Sequence, residues 1–236
     1  YPYADHGKLL GFDHGMMEPW TVLSYVAANT NRVRLGSSIC LVPQRNPVYT
    51  AKQVTDVDFL SGGRVDFGVG AGWLKEEFDA LQVPFERRGA RTSDYIRVMQ
   101  ALWTMERPSY QGEFYNLPEC TQNPKPVQTP HPPIFFGGES KPALRRVATQ
   151  GQGWMGASMM PKDLPKKLAL LDNLLAEHDR KRSDIKVYTL PNIAPKADLF
   201  PQYEDLGVEQ VIHLVPMKNI DDVHQRLDTM AKMAFG

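Results

Sequence analysis

From Val33 onward, short apolar runs alternate with stretches of helical period, and this alternation constrains the fold more than any single motif. Strands are expected over Val33–Leu41, Val65–Val69, Ile134–Phe136, Trp154–Ala157, Ile185–Leu190 and Gln210–Val215. Pro47–Leu60 repeats Val48, Ala51, Val54, Val57 and Leu60 every three residues, the spacing of a helix face. Further helices are expected over Glu18–Asn29, Leu74–Leu81, Thr92–Trp103, Lys141–Thr149, Leu164–Asp179, Ala197–Leu206 and Asp221–Met233. Strand–helix alternation builds a parallel sheet with helical crossovers, hence an α/β fold. Six strands suit an open doubly wound sheet as they stand. A closed eight-stranded barrel needs two more strands and one more helix before Glu18. Counting alone does not choose. Nothing before residue 18 has the pattern of a strand or helix, and the opening Tyr1 reads as a trimmed chain.

The densest local signal is Gly62-Gly63-Arg64-Val65-Asp66-Phe67-Gly68-Val69-Gly70-Ala71-Gly72-Trp73. It reads as a helix stop, a short apolar strand and a glycine turn before Leu74-Lys75-Glu76-Glu77. Glycines at the carboxyl end of a strand let a flat ligand approach the main chain, and α/β folds place ligands there. A tight βα turn without a ligand gives the same pattern. Gly68, Gly70 and Gly72 lack the full dinucleotide fingerprint, so a Rossmann site does not follow. Glu76 and Glu77 suit the positive end of a helix dipole.

Composition narrows the function. Among 236 residues, 42% are hydrophobic and 23% charged, as in a globular protein large enough for one substantial domain. We read residues 1–236 as that single domain, with 108–133 as a long insertion. Lys+Arg and Asp+Glu both number 27, which argues against a nucleic-acid partner. No apolar run approaches a membrane span, and no secretory signal is visible, so a cytoplasmic setting is expected. Cys40 and Cys120 form neither a disulfide framework nor a metal-ligand spacing, so no metal site is expected. The expected partners are a small-molecule substrate and, as an option, a second copy in a homodimer.

The proline- and aromatic-rich stretch from Pro108 to Pro133 breaks the alternation, and Tyr110–Tyr115 looks like a small hairpin. Long excursions in compact domains are usually lids or packed covers.

Several motifs follow one another along the chain: Gly36-Ser37-Ser38-Ile39, Arg45-Asn46-Pro47, Leu60-Ser61-Gly62-Gly63-Arg64 and Gly68-Val69-Gly70-Ala71-Gly72-Trp73. Pro124-Lys125-Pro126-Val127-Gln128, Pro130-His131-Pro132-Pro133-Ile134, Gly137-Gly138, Ala143-Leu144-Arg145-Arg146-Val147-Ala148 and Gly153-Trp154 continue the series. In this order they resemble the bacterial luciferase-like superfamily, and the chain looks closest to the branch assigned the deazaflavin coenzyme F420 rather than FMN. The resemblance implies a TIM (β/α)8 barrel without its first strand, first helix and second strand. It also implies an oxidoreductase that transfers hydride to or from a small organic substrate. An FMN-dependent monooxygenase and a non-catalytic barrel relative are the alternatives.

The resemblance also carries residue roles. In the family the strand ending at Ser38-Ile39 bulges through a non-prolyl cis peptide behind the cofactor ring. Here that bond would join Ser38 to Ile39, with Ile39 backing the ring. Gly70 and Gly72 would lie beside the cofactor. Gly137, Gly138 and Ser140 would hold its phosphate at a helix start, although Ser140 and Pro142 also suit plain capping. A sugar-phosphate dehydrogenase subgroup has a catalytic glutamate where this chain has Trp73, which argues against that chemistry. The family's Asp-His pair is mimicked by Asp5-His6 and Asp13-His14, both read as loop histidines, so the catalytic residue is left unassigned. Arg145 and Arg146 suit a solvated helix face. Trp20, Trp103, Trp154 and Met159-Met160 suit core or pocket walls.

Overall fold

The computed structural model describes residues 3–4, 7–8, 17–191, 193–215 and 220–235. They divide into two compact units, Tyr1–Phe135 and Phe136–Gly236. The first opens with an antiparallel ladder of β1 (Tyr3–Ala4) and β2 (Gly7–Lys8), where no strand was expected. A ladder this short carries no apolar period for sequence reading to detect. Asp5-His6 and Asp13-His14 lie outside the described residues.

Helix α1 (Pro19–Ala28) starts on a Glu18 cap whose carboxylate accepts from the Thr21 amide, with proline in its first turn. Arg64 closes its other end by donating to the Ala27, Thr30 and Val33 carbonyls. The expected strand over Val33–Leu41 is two pieces, β3 (Leu35–Gly36) and β4 (Cys40–Leu41), followed by a 3-10 turn at Val42–Gln44. Helix α2 (Pro47–Ser61) is capped by Asn46 Oδ1, which accepts from the Val48 and Tyr49 amides. Gly62 stops it at φ 67, the left-handed geometry that glycine adopts without a Cβ clash.

Strand β5 (Val65–Gly70) is buried throughout and pairs in parallel with both β3 and β4. Side chains alternate across a strand. Phe67 points to the helices, where its ring meets Trp20 at 5.7 Å and Trp103 at 6.0 Å. Gly68 and Gly70 therefore share the opposite face. Helices α3 (Lys75–Ala80) and α4 (Arg88–Thr104) follow.

The 108–133 excursion contains the expected hairpin, β6 (Tyr110–Gln111) with β7 (Asn116–Leu117). Two buried carboxylates pin it. Asp94 of α4 accepts from the Tyr110 hydroxyl and the Phe114 and Tyr115 amides. Asp58 of α2 accepts from the Val127 and Gln128 amides and the Gln128 side chain. Lys125 donates to the Leu102 and Met105 carbonyls at the end of α4. The excursion is a fastened cover.

Strand β8 (Ile134–Gly137) leads into the second unit, whose elements are α5 (Lys141–Gln150), β9 (Gly153–Ala157), α6 (Leu164–Ala176) and β10 (Lys186–Leu190). A 3-10 turn at Ala197–Leu199 runs into α7 (Phe200–Asp205), then come β11 (Gln210–Val211) and α8 (Ile220–Phe235). Here the strand order is β11-β10-β9-β8. Tyr188 stands opposite both Met155 and Gln210 in parallel register. Helix α6 stops three residues before the expected Asp179, because Asp179 turns left-handed at φ 54. Strand β11 is shorter than the expected Gln210–Val215, although the Ile212 amide still donates to the Thr189 carbonyl. Among the described residues, no helix is long and apolar enough to cross a membrane.

Candidate cofactor and substrate site

Residues 37–39 interrupt the strand for a geometric reason. Gly36 pairs with Asp66, whereas Cys40 pairs with Val69, so three residues on one strand face two on β5. That is a one-residue bulge. Ser38 takes φ 52 inside it. The Ser37 hydroxyl fills the broken ladder, accepting from the Gly68 amide at 3.0 Å and donating to the Gly68 carbonyl at 2.9 Å. A Cβ on Gly68 would lie 1.7 Å from the Ser38 carbonyl oxygen, and one on Gly70 would lie 2.5 Å from Ile39 Cγ2. The two glycines are thus required by the bulge itself.

The expected bulge is present, but the expected cis bond is not. The cis peptides among the described residues precede Pro124 and Pro130, and Ser38–Ile39 is trans. A left-handed residue costs about 1–2 kcal/mol, and the chain keeps its direction through the bulge, since β3 and β4 both run parallel to β5. Ile39 stands out from the bulge, 40% exposed.

Gly72 sits in the turn after β5 at φ 80. The Phe78 ring lies 2.8 Å from where its Cβ would be, so that face is already covered. Arg88 donates to the Gly72 carbonyl at 2.9 Å while its guanidinium lies 3.9 Å from the Phe85 ring centroid. The turn is held from both sides, and it carries Trp73 into solvent at 61% exposure. Trp20, Trp103 and Trp154 are core residues. Glu77, near the start of α3, accepts from the Gln44 side chain.

A cleft of about 520 Å³ opens beside Ile39, between the end of β4 and the starts of α1 and α2. Ile39, Leu41 and Leu81 give it apolar walls, and Gln44, Arg45 and Gln53 give it polar ones. Arg45 donates to Glu18 at 2.7 Å and to Gln53 at 3.2 Å. Burial would raise the Glu18 carboxyl, but bonds from the Thr21 amide, Arg45 and the Thr21 hydroxyl outweigh it and hold the carboxyl below its ordinary value. Burial pushes the Cys40 thiol, also on the lining, up to about 11. Sequence reasoning missed the Glu18–Arg45–Gln53 constellation. Its members lie on three separate elements, and only the Arg45-Asn46-Pro47 motif marked the place.

In the second unit Gly137 ends β8, and Gly138 and Ser140 lie in the turn leading into α5. Gly138 has φ 103, and Ser140 Oγ accepts from the Ala143 amide at 3.3 Å. The serine hydroxyl is committed to capping. Trp154 Nε1 donates to the Gly138 carbonyl at 3.0 Å, and Lys167 donates to the Glu139 carbonyl at 2.9 Å. The Glu139 carboxylate accepts from the Ala157 amide at the end of β9. Arg145 is exposed and lies 3.6 Å from Glu177, as a solvated face requires. The expected residues thus fall into two clusters: Ser38, Ile39, Gly70 and Gly72 in the first unit, Gly137, Gly138 and Ser140 in the second.

Two further features bear on chemistry. His131 is buried, its Nδ1–H donating to the Pro132 carbonyl at 2.8 Å, with the Trp103 ring 5.5 Å away. Burial lowers its pKa, and the bond to Pro132 offsets only part of that. It is a neutral core histidine. Among the described residues, no group of three or more His, Cys, Asp or Glu side chains could hold a metal ion.

Comparison with known proteins gives a consistent picture. A family model described as luciferase-like monooxygenase matches residues 4–198. An uncharacterized protein of Mycobacterium tuberculosis is 31% identical over 216 residues, spanning 91% of this chain and 75% of its own length. The FMNH(2)-dependent dimethylsulfone monooxygenase of Pseudomonas putida is 35% identical over 140 residues, 58% of this chain and 38% of that protein. The structure of the coenzyme F420 dependent tetrahydromethanopterin reductase from Methanopyrus kandleri matches with a TM-score of 0.65 at 21% identity. That match covers 74% of this chain and 54% of the reductase, and the likeness is one of fold.

Proposed function

Since the chain belongs to the luciferase-like monooxygenase family, we propose that it binds a flavin-type redox cofactor, coenzyme F420, and serves hydride transfer to or from a small organic substrate. The observation that carries this reading is the bulge at Ser37–Ile39. A flat tricyclic ring needs a stiff apolar wall with no side chain projecting beside it. Ile39 is that wall, locked by Ser37 against Gly68 and seated over Gly70. On Gly36, the last residue of β3 before the bulge, an added Cβ would meet nothing closer than 3.8 Å. The residues present fit the group.

The chain's own contributions follow. Ile39 would back one face of the ring and keep water from it. At the start of α5, the main chain at Gly137 and Gly138 and the helix dipole would suit an anion such as a phosphate. Ser140 would act there by fixing the turn. Gly70 would let Ile39 settle, and Gly72 would set the direction in which the chain leaves β5. When bound, a deazaflavin supplies two-electron hydride transfer, and the protein supplies position and electrostatics.

FMN-dependent monooxygenation is the second reading, favoured by the Pseudomonas putida relative. Separate titrations with F420 and FMN, followed by visible absorbance, test both. Tighter binding of F420 is expected. Tight FMN binding with substrate-dependent oxygen uptake would favour the second reading, and binding of neither would overturn both.

A further inference from the structure

We propose that the cleft beside Ile39 is a substrate pocket selective for small uncharged organic molecules, and that the Glu18–Arg45 pair enforces that choice. The proposal rests on the oxidoreductase reading above and adds the chemical class of its substrate. A pocket built for a phosphate, sulfonate or carboxylate presents a cation whose partner is the ligand. Here Arg45 is the one charged side chain among the described lining residues, and it already has a carboxylate at 2.7 Å. Glu18 is held in place for that contact. Its other oxygen accepts from the Thr21 amide at 2.8 Å and the Thr21 hydroxyl at 3.1 Å. A tethered, oriented carboxylate competes at high effective concentration against any free anion.

The rest of the lining agrees. Gln44 is turned to Glu77, and the Gln53 side-chain oxygen accepts from Arg45. The Cys40 thiol remains protonated at neutral pH. Leu41 and Leu81 offer apolar contact beside the amide groups, with Ile39 left to the cofactor ring. A neutral ligand with an apolar body and one hydrogen-bonding group meets partners without breaking the ion pair. An anion must either displace Glu18 or lie against it.

Benzamide and benzoate form a nearly isosteric pair that differs in charge, and ligand-observed NMR titration measures their affinities directly. The wild-type protein is expected to prefer benzamide by about tenfold or more, a difference of ~1.4 kcal/mol. Glu18→Gln retains an acceptor for the Thr21 amide but uncovers the Arg45 charge, so the preference should vanish or invert. Adding Arg45→Gln to Glu18→Gln removes the uncovered charge and should restore the preference for benzamide. That restoration separates charge selection from a change of shape, and thermal melts of each variant report folding. Equal affinities in the wild type, an unchanged preference in Glu18→Gln, or no binding of either probe would overturn the proposal. Should Glu18→Gln fail to fold, Arg45→Gln alone decides. It leaves the Glu18 carboxylate uncovered beside the cleft, so the preference for benzamide should grow, and an unchanged ratio would overturn the proposal. Cofactor binding is read separately from visible absorbance, so loss of the oxidoreductase reading and loss of charge selection give different signals.

Discussion

A single carbon added at Gly68 would fall 1.7 Å from the Ser38 carbonyl oxygen, and nothing flexible stands there to yield. Gly62 has the opposite surroundings, with open space around its missing Cβ and only its φ of 67 to resist a side chain. Gly68→Ala should therefore cost about 3 kcal/mol or more by forcing backbone shifts, whereas Gly62→Ala should cost about 1–2 kcal/mol. Urea unfolding of both variants checks the ranking; equal losses would mean that the bulge yields. His131 provides a pH test. Its folded pKa is depressed, so the unfolded chain binds its proton first as pH falls. The contribution is complete above the ordinary histidine value near 6.5 and is lost as pH drops through the folded value. Wild-type stability should fall between pH 7 and pH 5, and His131→Gln should show a smaller fall over the same interval. At this scale the sequence was partly legible. Glycines announced a close approach, but the Ser37 hydroxyl that completes the ladder looks like any strand serine. The left-handed turn at Ser38 has no signature that separates it from the cis bond expected there.

Elements were more legible where their ends carry local chemistry. Pro47, and Ser140 with Pro142, marked the starts of α2 and α5, because a first-turn proline and a capping oxygen act within one turn. Gly62 marked a stop for the same reason. The short β11 and the early end of α6 were not legible, since strand length depends on a neighbour's register and Asp179 carries no obligatory stop signal. The excursion over 108–133 was recognisable as ordered, yet its fastening to α2 and α4 depends on Asp58 and Asp94, distant in sequence. Asp94→Ala should release the hairpin while leaving α4 helical. Faster amide exchange at Phe114 and Tyr115, and new proteolytic cleavage between β6 and β7, are the expected readouts. Removing the acceptor strands two amides and a tyrosine hydroxyl, so a loss of about 1–3 kcal/mol is expected. Unchanged exchange would show that the hairpin holds without the carboxylate.

For the molecule as a whole, alternation established the α/β class, and ordered motifs pointed to the luciferase-like barrel type when counting strands could not. Chemistry-bearing residues on separate elements, such as Glu18 and Arg45, meet only in the folded chain. A cofactor that binds the folded chain alone must stabilise it, by about 2.7 kcal/mol at a hundredfold excess over its dissociation constant. A raised urea midpoint with F420 is the expected result, and no shift at saturating cofactor would contradict the proposed function. The rigid turn after β5 has a consequence that needs no ligand. With Trp20, Trp103 and Trp154 all in the core, Trp73 is the one indole that water reaches. Intrinsic fluorescence should therefore contain a red-shifted component that acrylamide quenches first, and Trp73→Phe should abolish it. The chain carries its own optical probe on the rim where β5 ends.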